Sequence, residues 1–189
     1  DFFQFEKKKN GISLLKKVTM IFIVIVIIFN FLAFISIFTM KSYYDFSKEV
    51  FNNGQKYEKS IYIKYKGKIY AYVYGESYQL DNVDIESFKV IDSMEYFDSH
   101  VAVDKKSVYF GNIRIPDLNP NKLKVIGNGY YTDGTNTYFC SPFSERNEKL
   151  SVPMELFQYF MYAFSKTKKP QSYIYPYIKI KTDKKLKPV

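Results

Sequence analysis

The most conspicuous pattern in the sequence is a long apolar run near its start. Between Val18 and Met40 there are 23 residues without a charge, and most of them are Ile, Val, Phe, Leu or Met. A helix rises about 1.5 Å per residue, so such a run spans roughly the 30 Å hydrocarbon layer of a bilayer. The pattern predicts a transmembrane helix over residues 18–40.

A buried core helix and a cleaved signal peptide are the alternative interpretations of this run. A core helix rarely continues this long without a charge, and a signal peptide has a shorter apolar stretch before a small-residue cleavage site. The flank here reads Phe38-Thr39-Met40-Lys41, which is a poor cleavage site, and no cysteine adjoins it for a lipid anchor. We therefore expect an uncleaved anchor in a lipid bilayer.

Lysines are distributed unequally on the two sides of the run. Five lysines precede it, namely Lys7, Lys8, Lys9, Lys16 and Lys17. Only Lys41 and Lys48 follow it closely. Because the more positive flank stays in the cytoplasm, residues 1–17 are predicted to be a basic cytoplasmic tail. Residues 41–189 are then extracytoplasmic.

The periodicity changes from helical to alternating beyond the run. Residues 41–59 are predicted to continue the helix for a few turns and then to form a linker, with Asn52-Asn53-Gly54 ending the helix. Apolar and polar positions alternate in Ile61–Tyr65 and again in Ile69–Tyr74, and Lys66-Gly67-Lys68 separates the two segments. This pattern predicts a β-hairpin.

Two sequence elements recur within residues 60–150. Asp104–Phe110 has Asp, Tyr and Phe at the same offsets as Asp133–Phe139, and Phe88–Ile91 matches Leu123–Ile126. The Asp of such a turn accepts a hydrogen bond from an amide two or three residues on. One unit is too small to bury its own face, so we expect adjacent units to share a sheet. There are two clear units and a partial first one over Tyr65–Tyr78.

These elements resemble the repeat of the DKNYY family. Val103–Phe110 contains an Asp-Lys-Asn-like turn followed by an aromatic pair, and Asp84–Phe88 is similar to that family's Asp-x-x-Ser/Thr-Phe element. The resemblance covers about residues 60–140, and the last unit departs from it at Asn119 and Gly134. It implies a bacterial, often surface-associated protein of unknown biochemical function, and it brings no catalytic residues.

The carboxyl-terminal part, residues 151–181, predicts a helix and a strand. Ser151-Val152-Pro153 is typical of a helix start, and apolar residues then recur at helical spacing as far as Phe164. Lys169 is one of three lysines at the end of this helix that suit its dipole. Packing of the helix onto the sheet is favoured over contact with a membrane or a partner. Pro176 places the final strand at an edge.

The predicted fold class is α+β and mainly β. It comprises an amino-terminal transmembrane helix, an antiparallel sheet built as a meander of hairpins, one carboxyl-terminal helix and an edge strand. Residues 182–189 are predicted to be a disordered tail.

Charge bears on the choice of partners. The formal net charge is +9, of which the first 17 residues contribute +3, so +6 remains on the outer part. This favours loose association with anionic surface polymers or lipid headgroups, and nucleic acid is not expected outside the cytoplasm. Cys140 is the only cysteine and allows no internal disulfide. We expect a buried thiol rather than a bond to another chain.

The inventory of reactive side chains argues against an enzyme. His100 is the only histidine, and in a strand its neighbour Ser99 would point to the opposite face, so a catalytic triad is not expected. One His and one Cys do not predict a metal site, and the spacing of Asp81, Asp84 and Asp92 is unlike that of a calcium loop. We therefore expect no catalytic or metal-binding residues, no cofactor and no small-molecule substrate.

Tyrosines supply the candidate binding residues. Tyr70, Tyr72 and Tyr74 alternate along one strand, so they share a face that could contact a glycan or a peptide. Tyrosine also has a high intrinsic preference for strands, so an exposed sheet face covered by cross-strand tyrosine pairs is the favoured interpretation. The favoured function is a non-catalytic module that binds a partner protein or an envelope polymer. The alternative is an accessory or sensor subunit acting through the transmembrane helix. Asn30 could bond to a partner helix, although an ordinary polar residue within the span is the favoured interpretation.

Overall fold

The computed structural model describes residues 2–91, 99–165 and 169–180. Side chains are described from residue 14 onward, except those of Ala163 and Ser165. The predicted tail over residues 182–189 lies outside the described residues, and so does Asp92.

One continuous helix, α1, spans Phe2–Asn53. Among the helices that the structure describes, it is the one long and apolar enough to cross a membrane. Residues 14–34 are exposed throughout, and polar side chains in the run bond back to carbonyls one turn earlier, as the Asn30 amide does to Val26 at 2.8 Å. The predicted helix and its continuation beyond Met40 are both confirmed.

Three four-stranded antiparallel sheets follow α1. The first contains β1 (Gln55–Lys56), β2 (Tyr62–Tyr65), β3 (Lys68–Val73) and β4 (Glu76–Gln79). The second contains β5 (Lys89–Val90), β6 (Val101–Val103), β7 (Val108–Phe110) and β8 (Ile113–Ile115). The third begins with β9 (Lys124–Gly127), β10 (Tyr130–Thr132) and β11 (Thr137–Cys140), after a 3-10 turn at Pro120–Lys122.

The last part of the chain completes the third sheet. The strand β12 (Glu145–Arg146) pairs with β13 (Tyr173–Ile174), and the helix α2 (Val152–Ser165) lies between them in sequence. The final strand, β14 (Tyr177–Ile180), pairs with β11 at the edge of the third sheet. The mainly β, antiparallel class is therefore confirmed, and so is the edge strand.

The repeat units do not share one sheet, which corrects the expectation from the sequence. Each unit builds a sheet of its own, and the three sheets share an apolar core instead. Five tyrosines are buried to within 1 % exposure in that core: Tyr62, Tyr78, Tyr109, Tyr131 and Tyr138. A tyrosine can be buried when its hydroxyl has a partner, as the Tyr62 hydroxyl has in the His100 carbonyl at 2.5 Å.

The Asp of each clear repeat unit organises two turns at once. One carboxylate oxygen of Asp104 accepts hydrogen bonds from the amides of Lys106 and Ser107, both at 2.7 Å. Its other oxygen accepts from the amide of Asp84 at 2.8 Å. Asp133 repeats the arrangement and accepts from the amide of Asn119 at 2.9 Å. The predicted turn role of these residues is confirmed, and each also ties its hairpin to the Asp- or Asn-led turn before it.

The helix α2 packs mainly against α1 rather than on the three sheets, which corrects the predicted packing. The ring of Tyr162 meets that of Tyr43 edge-on, with centroids 5.8 Å apart. The start of α2 is held by Glu155, which pairs with Arg146 on β12. The two helices and the first sheet therefore surround a common space.

Candidate functional site

The tyrosine face predicted from the sequence is covered by the end of α1. Tyr70 is only 5 % exposed, and its ring lies against Phe46 with centroids 5.9 Å apart. Tyr72 is half-buried beneath Phe51, at 4.5 Å between centroids. The predicted alternation of the strand is correct, but both of its faces are covered, since Ile69, Ala71 and Val73 enter the shared core.

Tyr74 is separated from the other two tyrosines. It lies in the turn after β3 with a φ of 53°, so the strand alternation does not reach it. Its ring is 75 % exposed and stacks on Tyr173, with centroids 5.1 Å apart. The three side chains therefore do not form one flat surface.

A cleft of about 1040 Å³ opens beside the covered strand. It lies between residues 38–49 of α1, strands β3 and β4, Tyr162 of α2 and the segment that follows α2. We call it the α1 cleft. Its aromatic lining consists of Phe38, Tyr43, Phe46, Tyr70, Tyr78 and Tyr162. Phe38 belongs to the apolar run, so the cleft begins where the predicted membrane span ends.

Lys169 places a buried charge in the α1 cleft. Its side chain is 6 % exposed and forms an ion pair with Glu76. The Nζ atom lies 3.3 Å from the centroid of the Tyr43 ring and 4.2 Å from that of Tyr78, where the ring faces attract a cation. Burial lowers the pKa of Lys169 to about 7, although the charge of Glu76 acts in the opposite direction. The cleft thus contains an amine that titrates near neutral pH.

The two phenols around Lys169 act as hydrogen-bond donors. The Tyr78 hydroxyl donates to Glu76 at 2.6 Å, and the Tyr43 hydroxyl donates to the carbonyl of Ser77 at 3.0 Å. Burial raises the pKa of both tyrosines well above 10, so both remain neutral at physiological pH. Their rings therefore present polarisable faces, not charges, to whatever enters.

The walls of the α1 cleft are attached to each other by polar and apolar contacts. The amide of Ser77 donates to the Ser47 hydroxyl at 3.1 Å, and the Ser77 hydroxyl donates to the Ser47 carbonyl at 3.2 Å. Next to this joint, Val50 packs with Ile63 and Tyr70 in a second apolar cluster. The helix that carries the apolar run is thereby fixed to the first sheet.

The rim of the α1 cleft is rich in lysine. Lys66 lies 3.1 Å from Glu49, Lys68 donates to Gln79 at 3.1 Å, and Lys41 is exposed where the apolar run ends. Hydrogen bonds from Tyr65 and Lys66 lower the pKa of Glu49. With Lys169, four lysines and three carboxylates line the cleft. Positive and negative side chains are therefore interspersed around the cleft, whereas the rings of Tyr43, Tyr70 and Tyr78 are buried.

The Ser99 and His100 side chains are close together, contrary to the geometry expected for a strand. They occupy a short 3-10 turn, in which Ser99 Oγ lies 3.0 Å from His100 Nδ1. The imidazole is 2 % exposed and packs against Phe110 and Tyr175 at 5.8 and 4.8 Å between centroids. A substrate in the α1 cleft does not reach this pair, because the cleft lining does not include it.

Cys140 lies in the shared core at 1 % exposure, and burial raises the pKa of its thiol to about 12. The buried thiol expected from the sequence is thus what the structure contains. Among the side chains that the structure describes, over residues 14–91, 99–165 and 169–180, no three His, Cys, Asp or Glu converge on a position for a metal ion.

Sequence reasoning missed the centre of the α1 cleft. The pattern assigns Lys169 to the dipole of α2, but α2 ends at Ser165 and the lysine pairs instead with Glu76, 93 residues away. A weak signal exists, since Lys169 stands directly before Pro170, where a helix does not continue. Nothing in the local pattern indicates Glu76 as its partner.

Comparison with known proteins supports the interpretation of the repeats. The family model of the DKNYY family matches residues 62–189, which is more than half of the chain. No curated protein and no solved structure matches the chain significantly.

Proposed function

The chain belongs to the DKNYY family, and on that premise we propose that it is a single-pass membrane protein with a non-catalytic module that binds an anionic envelope polymer. In this proposal residues 18–40 cross the membrane, residues 1–17 are cytoplasmic and the β-repeat module is extracytoplasmic. The polymer enters the α1 cleft.

The observation that carries the proposal is the position and lining of the α1 cleft. At about 1040 Å³ it is large enough for several sugar or polyol units, since ordinary ligand sites measure roughly 300–1,000 Å³. It opens beside the end of the apolar run, where an exported module faces the innermost layer of the envelope. A polymer segment held there lies along the membrane surface.

The chemistry of the lining suits a polymer that combines rings or polyols with phosphates or carboxylates. Lys41 and Lys68 at the rim are available to pair with the anionic groups, whereas Lys66 already pairs with Glu49. Carboxylates of Asp45, Glu49 and Asp81 also line the cleft, so the lysines favour a polymer whose anionic groups are spaced apart. Tyr43 and Tyr78, deeper in the cleft, offer flat apolar faces together with fixed donors. The formal charge of +6 on residues 41–189 supports the same choice of partner.

The proposed lack of catalysis is supported by the surroundings of the reactive groups. The histidine and the cysteine lie in the core, away from the α1 cleft, and the thiol is protonated at neutral pH. Lys169 is engaged with Glu76 and two rings, an arrangement that holds the amine in place. Binding without chemistry is the simplest function for such a cleft.

The test is co-sedimentation of the full chain, in detergent, with insoluble cell-wall sacculi that carry teichoic acid. Lys41→Ala with Lys68→Ala removes two positive charges from the rim, and we expect several-fold weaker binding. Lys89→Ala with Lys124→Ala removes the same charge from exposed strand positions of the other sheets and is the matched control.

Equal binding by the two double variants would contradict the proposal. Sacculi from which the teichoic acid has been removed distinguish the two possible ligands. Loss of binding to them indicates the anionic polymer, and unchanged binding indicates peptidoglycan itself. If the full chain sediments with neither and instead co-purifies with one membrane protein, the partner is a protein.

A role as an accessory or sensor subunit is the second candidate, and the continuity of α1 favours it. The same helix contains the apolar run and is bonded to β4 through Ser47 and Ser77, so a displacement of the module tilts the helix. Asn30 donates to its own helix at Val26. Loss of a co-purifying membrane protein in Asn30→Leu would support this role, and an unchanged set of partners would support the first.

A further inference from the structure

The helix α2 has its polar side chains turned toward the protein. Glu155 pairs with Arg146 and accepts a hydrogen bond from the Ser172 hydroxyl. One turn later the Tyr159 hydroxyl lies 3.3 Å from the same serine oxygen, and Tyr162 is buried against α1. The inward face of α2 is therefore occupied by charges, hydroxyls and phenols.

The outward face of α2 is apolar, the reverse of a helix on a water-exposed surface. Seven apolar side chains are 38–67 % exposed there: Val152, Met154, Leu156, Phe157, Phe160, Met161 and Phe164. Phe160 and Phe164 contact each other, with centroids 4.7 Å apart, so part of this face is continuous. A contiguous apolar surface with three phenylalanines is costly in water and marks a contact with something else.

The position of α2 along α1 indicates what that contact is. Tyr162 meets Tyr43, which lies three residues after the apolar run, or about 4.5 Å of helix rise. Thr39, inside the run, is only 1 % exposed, so the protein covers α1 within its apolar part. Phe38 and Tyr162 also line the same cleft. The part of α2 around Tyr162 is therefore at the level where the apolar run of α1 ends.

We propose that α2 lies in the interfacial layer of the membrane that α1 crosses, with its outward apolar face among the lipid chains. The inference rests on the proposed membrane span. An interfacial helix has one polar and one apolar face, and here the polar face is held by the module while the apolar face is left for lipid. Lys149 and Lys166 flank the helix in sequence, where they suit anionic headgroups.

A bilayer accounts for this face better than a second copy of the chain does. The exposed apolar surface of α1 continues to the last turn of the apolar run, where Ile37, Phe38 and Met40 are exposed. Tyr162 of α2 contacts Tyr43, less than one turn beyond. Lipid that surrounds α1 there must also meet the outward face of α2. A second copy would have to displace that lipid first.

In this arrangement one side of the α1 cleft faces the membrane. With α2 in the interface, Tyr162 and Phe38 mark the membrane side of the cleft, and Lys41 and Lys68 stand above it. A polymer in the cleft is then bound directly at the lipid surface.

The test places a fluorophore on single cysteines in the full chain, reconstituted in vesicles of equal amounts of phosphatidylcholine and phosphatidylglycerol. Phe157→Cys and Phe164→Cys report on α2. Phe143→Cys, at 70 % exposure, is the matched position outside α2, and Ile25→Cys reports on the span. Native Cys140 is buried, and the parent chain measures any labelling of it.

Lipids that carry a nitroxide near the headgroup should quench the labels at 157 and 164 several-fold more than the label at 143. Nitroxides deep in the chains should quench the label at 25. If the labels at residues 157 and 164 are quenched no more than the label at residue 143, while the label at residue 25 is quenched, the interfacial position of α2 is wrong but the membrane span is supported. If 25 is not quenched, the proposed anchor fails. Disulfides between unlabelled copies of Phe157→Cys, together with no lipid quenching of the labelled copies, would assign this face to a second chain.

Discussion

The buried Lys169 forms an ion pair with the half-buried Glu76 that joins the segment after α2 to strand β4. Lys169 lines the α1 cleft, and its amine lies over the rings of Tyr43 and Tyr78. It connects three parts of the chain that are distant in sequence, namely α1, the first sheet and the carboxyl-terminal segment. The pair is thus a structural tie at the edge of the cleft.

The stability of the chain should rise with pH above neutrality because of Lys169. Burial lowers its pKa to about 7 from 10.5 in the unfolded chain, so between these values the unfolded state binds more protons. The free energy of unfolding then rises by at most about 1.4 kcal/mol per pH unit. We expect the thermal midpoint of the full chain in detergent to increase from pH 7 to 9.5.

Lys169→Met should remove this slope, whereas Lys149→Met, at an exposed position, should keep it. A slope that survives in Lys169→Met would assign the pH dependence to another group. Measurements stop at pH 9.5 because of the buried tyrosines. Burial raises the pKa of Tyr43 and Tyr78, so the unfolded phenols ionise first, and the free energy of unfolding falls as pH rises past about 10. The pH dependence of stability that these tyrosines cause is therefore opposite in sign to the one that Lys169 causes.

Asp104→Asn should destabilise the chain more than Asp133→Asn. The Asp104 carboxylate accepts from three amides and from the Tyr109 hydroxyl at 2.9 Å, and it is 3 % exposed. An asparagine turns an NH₂ group toward some of these donors, and each buried donor left unsatisfied costs about 1–3 kcal/mol. Asp133 is more exposed, so water replaces some of the hydrogen bonds that Asp133→Asn removes. Denaturant unfolding of the two variants measures the difference.

The Asp104 carboxylate should also make the chain less stable in acid. Burial acts to raise the pKa of Asp104, but the hydrogen bonds from Asp84, Lys106 and Tyr109 outweigh it and lower the pKa. The stabilisation is therefore complete above about pH 4 and is lost as pH falls further. Asp104→Asn should flatten the acid limb of the pH profile, and an unchanged limb would contradict this account.

Gly111→Ala should cost more than Gly67→Ala, although both glycines have positive φ, at 57° and 69°. A Cβ at residue 111 would collide with the Tyr175 ring, whereas nothing lies within 4 Å of the corresponding position at residue 67. Gly67→Ala therefore costs only the strain of an alanine in the left-handed conformation, about 1–2 kcal/mol. The first adds displacement of a buried ring, and thermal unfolding should separate the two. Equal midpoints would show that the ring moves aside freely.

Cys140 should resist thiol reagents until the chain unfolds. Its side chain is 1 % exposed, and burial raises the pKa of the thiol to about 12, so very little thiolate exists at neutral pH. Tyr74→Cys places a thiol at a position that is 75 % exposed and is the reactive control. Labelling of both thiols at similar rates in the native chain would show that the core opens readily.

Local patterns in the sequence determined the elements and the turns. The apolar run, the alternation in Ile69–Val73 and the Asp-led turns at residues 104 and 133 each depend on neighbours a few positions apart, so they are visible without a fold. The family resemblance has the same origin, because the repeat is a local motif. Helix and hairpin positions are therefore predicted well.

Only the tertiary structure decided which faces these elements cover. The covered strand face at Tyr70, the separate sheets, the contact of α2 with α1 and the pairing of Lys169 with Glu76 all join residues far apart in sequence. An amphipathic pattern shows that a face exists but not what meets it, since burial depends on the whole packed chain. For the same reason, the apolar stripe of α2 predicts a buried face, whereas the fold turns that stripe outward at the end of the apolar run.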